Sequence, residues 1–177
     1  MRKIFPNILT VLRVFAIPAV VLSFYQGAQY VTLVIFIAAC ITDFFDGYLA
    51  RRWGVRSKFG RIFDPAADKL VVIATFVMLI YAAKITGLSV IFVVIIVCRE
   101  VFVSSMREFM IASGIGVPVN GVGKLKAATQ IVAASLLILN DEPIIRLGEV
   151  FLCVAATLSV YSMFLYTKSA VAKVNNM

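Results

Sequence analysis

Residues 43–68 read DFFDGYLARRWGVRSKFGRIFDPAAD and place four carboxylates, Asp43, Asp46, Asp64 and Asp68, between segments apolar enough to cross a bilayer. An ionised carboxylate within a membrane span costs about 3 kcal/mol even on the most lenient scale unless something neutralises it. Four uncompensated ones are implausible, and a pair of divalent cations would balance their formal charge. Residues three or four apart on a helix share a face, with Cβ atoms ~5–6 Å apart. Asp43 with Asp46, and Asp64 with Asp68, therefore form two carboxylate pairs. The basic stretch between them, Arg52–Arg61, reverses the chain and lets the pairs face one another. Hard oxygen ligands select Mg²⁺ or Mn²⁺ over zinc, and two such ions ~3.5–4 Å apart suit displacement at phosphorus. Gly47, inside a helix, costs ~1 kcal/mol relative to alanine, which points to close approach of a ligand or another helix. Ala50 keeps the same face small, and Arg51 offers a planar donor fork for phosphate.

Working outward, the chain of 177 residues is 62% hydrophobic, with a mean hydropathy of +1.02, too apolar for a soluble domain of this size. Six apolar runs are legible, at about Ile8–Tyr25, Tyr30–Ala50, Ile62–Ala83, Ile85–Met106, Leu125–Leu139 and Gly148–Tyr166. Most approach the ~20 residues that a bilayer-crossing helix needs. The fifth is short and can begin earlier, because a span tolerates polar residues where it meets protein rather than lipid. Polar breaks at Gln26–Gln29, Lys84–Gly87 and Asn140–Arg146 read as tight turns between antiparallel helices. With no internal repeat, the expectation is an all-α fold: one domain, residues 1–177, built as an integral membrane bundle of six transmembrane helices.

The net charge of +8 invites a nucleic-acid reading, but its distribution decides otherwise. If six helices start inside, all of the seventeen Lys and Arg except Lys84 and Arg146 fall at cytoplasmic ends. The positive-inside rule then puts both termini in the cytoplasm and accounts for most of the charge without any nucleic acid. Trp53, beside Arg51 and Arg52, reads as an interfacial anchor. The absence of histidine removes imidazole metal sites and the common near-neutral proton shuttle. Cys40, Cys98 and Cys153 stand alone in apolar runs without ligand spacing. Arg13 interrupts the first apolar stretch and no convincing cleavage site follows, so the first span is expected to be retained. That absence of a targeting segment, with the compact length, suits a bacterial inner membrane.

Depth is the decisive regularity. Under this topology Arg13, the four aspartates, Lys69, Arg99, Glu100, Lys124 and Lys126 all converge on the cytoplasmic leaflet. Independent accidents would scatter them, so a single polar cavity facing the cytoplasm is expected. Carboxylates in apolar helices also suit a cation or proton transporter. A conduction path, however, needs polar groups at the midplane and beyond, where these spans carry almost none.

The block Asp43-x2-Asp46-Gly47-x2-Ala50-Arg51-x8-Gly60-x3-Asp64-x3-Asp68 resembles the signature of the CDP-alcohol phosphatidyltransferase family at every position. Members transfer a phosphatidyl or phospho-alcohol group from a CDP-linked donor to an alcohol and release CMP, usually as homodimers. The resemblance implies that Asp43, Asp46 and Asp64 ligate two divalent metals, with Asp68 contributing to the second and serving as base. It also implies that Gly47, Ala50, Arg51, Ser57 and Gly60 line the CDP-diacylglycerol head group, joined by the opening segment Pro6, Asn7, Ile8 and Leu9.

The acceptor rests on weaker signals. The segment Arg99-Glu100-Val-Phe-Val-Ser-Ser-Met-Arg107-Glu108-Phe109 and Gly123-Lys124-Leu-Lys126-Ala-Ala-Thr129-Gln130 are similar to the branch of the family that uses sn-glycerol 3-phosphate. So is the opening Asn7-Ile-Leu-Thr10-Val-Leu-Arg13 with Pro18. A dianionic acceptor phosphate needs cationic donors, which Arg99, Arg107, Lys124 and Lys126 can supply. The alternative is that Arg99–Glu100 and Arg107–Glu108 satisfy one another while the lysines obey the positive-inside bias. An inositol phosphate acceptor would demand similar cations, whereas a neutral acceptor such as serine would not. Gly121-x-Gly123-Lys124 lacks P-loop spacing and reads as a helix connection.

Overall fold

In the computed structural model the backbone is described for residues 5–53, 58–116 and 121–175, and the side chains for residues 12–42, 69–116 and 121–174. Six helices follow in order: α1 Phe5–Tyr25, α2 Gln29–Trp53, α3 Lys58–Tyr81, α4 Ser89–Ala112, α5 Gly121–Ile138 and α6 Glu142–Asn175. No strand occurs among the described residues. Of these helices, α4, α5 and α6 contain described stretches long and apolar enough to cross a membrane. In α1, α2 and α3 the apolar stretches found are Leu12–Tyr25, Gln29–Thr42 and Lys69–Tyr81.

The boundaries shift from expectation for local reasons. α5 does begin earlier than Leu125, at Gly121. α4 begins at Ser89 rather than Ile85, because Ala83 (φ 54°) and Gly87 (φ 56°) adopt left-handed backbone that no helix continues through. Ile85 instead tucks into the core at 1% exposure. α4 ends where Gly114 takes φ 71°, and the Ile115 N–H reaches back to the Met110 carbonyl at 2.8 Å, a left-handed helix stop. The largest difference is α6, which runs well past Gly148–Tyr166 at both ends. Glu142 opens its first turn, followed by Pro143, and Lys173 lies in its last; each sits where the helix dipole and the missing proline N–H favour it. Hydropathy registers only the apolar middle of such a helix, so the break read at Asn140–Arg146 shrinks to the few residues before Glu142.

Hydrogen bonds between helices give their relative directions. The Ser23 and Thr32 hydroxyls meet at 2.9 Å, joining the end of α1 to the start of α2. Lys69 meets Ser104, joining the middle of α3 to the second half of α4. Ser89 donates to Glu149 at 3.0 Å near the starts of α4 and α6, while Lys173 in the last turn of α6 donates at 2.7 Å to the Gly116 carbonyl just past the end of α4. Neighbours in sequence thus run antiparallel, and α4 lies parallel to α6.

The main core draws on all six helices, with Val20, Phe36, Phe76, Leu79, Ile96, Leu137 and Leu152 at 1% exposure or less. Where α5 meets α6 the buried residues include four alanines, Ala133, Ala134, Ala155 and Ala156. Lipid offers no hydrophobic drive between apolar helices, so close backbone approach through small side chains is how such pairs gain dispersion energy. Outward-facing Phe15, Val34, Val77, Val94, Val154 and Phe164 are exposed, as a lipid-facing surface requires.

Candidate functional site

A buried polar cluster joins four helices. On α4, Arg99 is 9% exposed and Glu100 6%; on α5, Lys126 and Gln130 are each 5%; on α6, Ser159 is 0% and Ser162 1%. Arg99 Nη2 donates to Ser162 Oγ at 2.7 Å, and its Nη1 lies 3.5 Å from Glu100 Oε2. The other carboxylate oxygen, Oε1, takes the Lys126 ammonium and the Gln130 amide at 3.4 Å. Gln130 also reaches Ser159 Oγ at 3.4 Å. At the margin, half-buried Lys69 of α3 bonds Ser104, whose hydroxyl donates to the Glu100 carbonyl oxygen at 2.7 Å.

The helices explain why these residues meet. Lys126 and Gln130 are four apart on α5, and Ser159 and Ser162 three apart on α6, so each pair shares one face. Arg99 and Glu100 are adjacent and leave α4 in different directions, toward α6 and α5 respectively. Burying charge without partners costs several kcal/mol per ion, and the cluster provides partners for most of what it buries. Among the described residues the exception in this cluster is Arg99 Nε, buried with no hydrogen-bond acceptor.

Of the four cations expected to serve an acceptor phosphate, Arg99 and Lys126 come together here, whereas Arg107 and Lys124 are exposed. The expected pairing of Arg99 with Glu100 is present, but it does not close the site, because Glu100 is shared with Lys126. Sequence reasoning does not single out Ser159 and Ser162; their signal is two serines one helical turn apart in a largely apolar stretch. Asp43, Asp46, Gly47, Ala50 and Arg51 belong to the second half of α2, and Gly60, Asp64 and Asp68 to the start of α3. Pro6, Asn7, Ile8 and Leu9 belong to the start of α1. The side chains of all these residues and of Trp53, and Ser57 altogether, lie outside the described residues. Asp68 directly precedes Lys69, so the acidic block and the polar cluster are continuous along α3.

A helical bundle with membrane-length apolar helices around a buried ionic cluster is an integral membrane protein. The family model of CDP-alcohol phosphatidyltransferase matches residues 3–161, and the chain belongs to that family of transferases. It is 38% identical over 175 residues to a CDP-diacylglycerol–glycerol-3-phosphate 3-phosphatidyltransferase of Rickettsia felis, covering 94% of this chain and 95% of the relative. A protein of the same name from Pectobacterium atrosepticum is 36% identical over 171 residues, covering 93% of each. A chloroplastic/mitochondrial form from Arabidopsis thaliana is 39% identical over 182 residues, covering 92% of this chain and 61% of that protein. The transporter expectation finds no support in these relatives.

Proposed function

We propose that the protein transfers the phosphatidyl group of CDP-diacylglycerol to sn-glycerol 3-phosphate, giving phosphatidylglycerophosphate and CMP. The observation that carries this reading is the near full-length similarity to bacterial proteins named for that reaction. The complete acidic block and the buried cations of Arg99 and Lys126 agree with it. The whole chain, residues 1–177, acts as one domain. All six helices cross the membrane, with both termini and a polar cavity on the cytoplasmic side of a bacterial inner membrane, and the protein works as a homodimer.

The chemistry of the donor set, four carboxylates on the facing ends of two consecutive helices, fits two Mg²⁺ or Mn²⁺ ions held by Asp43, Asp46, Asp64 and Asp68. Such ions neutralise a pyrophosphate and its CMP leaving group. The chain's own residues do the rest. Gly47, Ala50 and Gly60 leave room for the CDP head group, while Arg51, Ser57 and the Pro6–Leu9 segment, including Asn7 and Ile8, orient it. Arg99 and Lys126 hold the acceptor phosphate, with exposed Arg107 and Lys124 at its approach. Asp68 takes the proton from the attacking hydroxyl as the phosphorus–oxygen bond to CMP breaks. The acyl chains stay in the leaflet while the head group enters the cavity, so most of the acceleration is positioning and charge stabilisation.

The test is CMP release by the purified protein in detergent with CDP-diacylglycerol and Mg²⁺ or Mn²⁺, supplying glycerol 3-phosphate, inositol phosphate or serine in turn. Metal-dependent turnover with glycerol 3-phosphate alone, lost in Asp68→Asn by a factor of about 10²–10⁴, is the expected result. Turnover with a different alcohol would replace the acceptor, and no metal-dependent turnover with any would refute the reading.

A further inference from the structure

We infer that Glu100 is a positioning residue, which sets the arginine and lysine of the cluster in place for one acceptor phosphate. The inference rests on the reading that a phosphorylated alcohol is the acceptor. Its basis is the way the carboxylate is divided. Oε2 faces Arg99 of its own helix, and Oε1 faces Lys126 and Gln130 of α5, so a single side chain fixes two cations carried by different helices. Lys126 meets Glu100, and Arg99 is held by more than Glu100. Arg99 is tied on its far side to Ser162, and Gln130 to Ser159, which pins both ends of the array to α6.

Arg99, Lys126 and Glu100 together carry one net positive charge at side-chain exposures of 10%, 6% and 8%. Lys69, bonded to Ser104, stands at the margin. Excess positive charge at that burial calls for an anion from outside the cluster. Arg99 Nε is the part of the array that shows where: a buried donor without an acceptor among the described residues, in a guanidinium whose Nη1 and Nη2 are already committed. An unsatisfied buried donor is costly, and a phosphate oxygen would relieve it. A second carboxylate in place of Gln130 would cancel the charge. With no carboxylate at all, Arg99 and Lys126 would repel each other, and each would lose the partner that orients it.

The division of Glu100 between two cations has a kinetic consequence. A group that acts through Arg99 and Lys126 alters binding of the acceptor without altering binding of the CDP-linked donor. Glu100→Gln keeps size and an accepting oxygen but removes the charge; Glu100→Asp keeps the charge and shortens the reach. The experiment measures CMP release by the full chain in detergent, titrating glycerol 3-phosphate and CDP-diacylglycerol separately, with unfolding temperature recorded for each variant. Expected for Glu100→Gln is a rise in KM for glycerol 3-phosphate of about tenfold, the equivalent of one charge-assisted hydrogen bond. The KM for CDP-diacylglycerol stays unchanged, and Glu100→Asp recovers part of the loss. Gln130→Leu, which leaves every charge in place but releases one hold on Oε1, raises the same KM by a smaller factor and keeps the inference testable if Glu100→Gln does not fold.

An unchanged or lowered KM for glycerol 3-phosphate in both variants would overturn the inference, since a carboxylate that merely opposed the phosphate would improve binding when neutralised. Equal loss toward both substrates with a lowered unfolding temperature would also overturn it, by showing a purely structural role. Wild-type protein separates this from failure of the underlying reading. Without wild-type turnover on glycerol 3-phosphate the acceptor assignment falls, and the inference with it; with turnover, only the Glu100 inference is at stake.

Discussion

Lys126 is the residue on which burial and charge are most sharply opposed. Its side chain is 6% exposed and its ammonium meets Glu100, so replacing it with an apolar residue of similar length leaves a buried carboxylate with one cation fewer. Removing one partner of a buried ion pair costs about 3–5 kcal/mol. Because Arg99 and Gln130 remain near Glu100, the loss for Lys126→Met belongs near about 3 kcal/mol. The double variant Lys126→Met with Glu100→Gln should recover more than half of that loss in a denaturant titration in detergent. Strict additivity of the two changes would show that the pair is not coupled. The sequence makes the cations legible, since Lys and Arg inside apolar runs stand out by rarity alone. It does not reveal which carboxylate they share. That depends on the rotation of α4 against α5, and a run such as Val93–Cys98 is apolar on every side and carries no marker of rotation.

At the scale of elements, the α5–α6 hairpin and the α3–α4 turn hold the bundle's register. Gly148 packs so tightly that a β-carbon there would stand 2.8 Å from Leu137 Cγ and 3.2 Å from Leu136 Cβ. Overpacking of this kind costs about 1–3 kcal/mol, so Gly148→Ala should lower the unfolding temperature while leaving the KM values of the folded fraction unchanged. A neutral result would mean that the two helices part freely at that point. Ala83 offers the opposite change, since it holds φ 54° without being glycine. A left-handed conformation costs an L-residue roughly 1–2 kcal/mol, and Ala83→Gly should stabilise the protein by somewhat less, because glycine also gains freedom in the unfolded chain. These features explain why the helix ends were less legible than the helices. The apolar runs gave the number of helices and their order, but Ser89 as the start of α4 follows from backbone torsions at Ala83 and Gly87 that hydropathy does not encode. The polar ends of α6 follow from dipole and capping effects invisible to it.

At the scale of the molecule, orientation joins the chemistry to the cell. The short turns before α2, α4 and α6 gather at one end, where Tyr25 and Tyr81 meet edge to face at 6.1 Å and Tyr25, Tyr30 and Tyr81 are exposed. Such rings suit a membrane–water interface. A crevice of about 490 Å³ lined by Gln29, Tyr30, Asn140, Asp141 and Glu142 opens at this end, and it carries acidic rather than basic side chains. The opposite end receives the start of α1, the end of α2, the start of α3 and the end of α6, with the helix halves bearing the aspartates and the buried cluster. In the proposed orientation, drawn from the positive-inside bias, that end faces the cytoplasm, where a water-soluble phosphorylated acceptor and released CMP would exchange freely. The assignment is tested with single cysteines placed at Ser57, Asn140 and Lys173 in a background where Cys40, Cys98 and Cys153 are replaced by serine. A membrane-impermeant maleimide applied to intact cells should label Asn140→Cys, whereas Ser57→Cys and Lys173→Cys should react only after permeabilisation. Labelling of Ser57→Cys from outside would reverse the bundle and put the aspartates on the wrong face for a cytoplasmic acceptor. Opposite labelling of Ser57→Cys and Lys173→Cys would mean an odd number of crossings between them, which breaks the single cavity on which the proposed reaction depends.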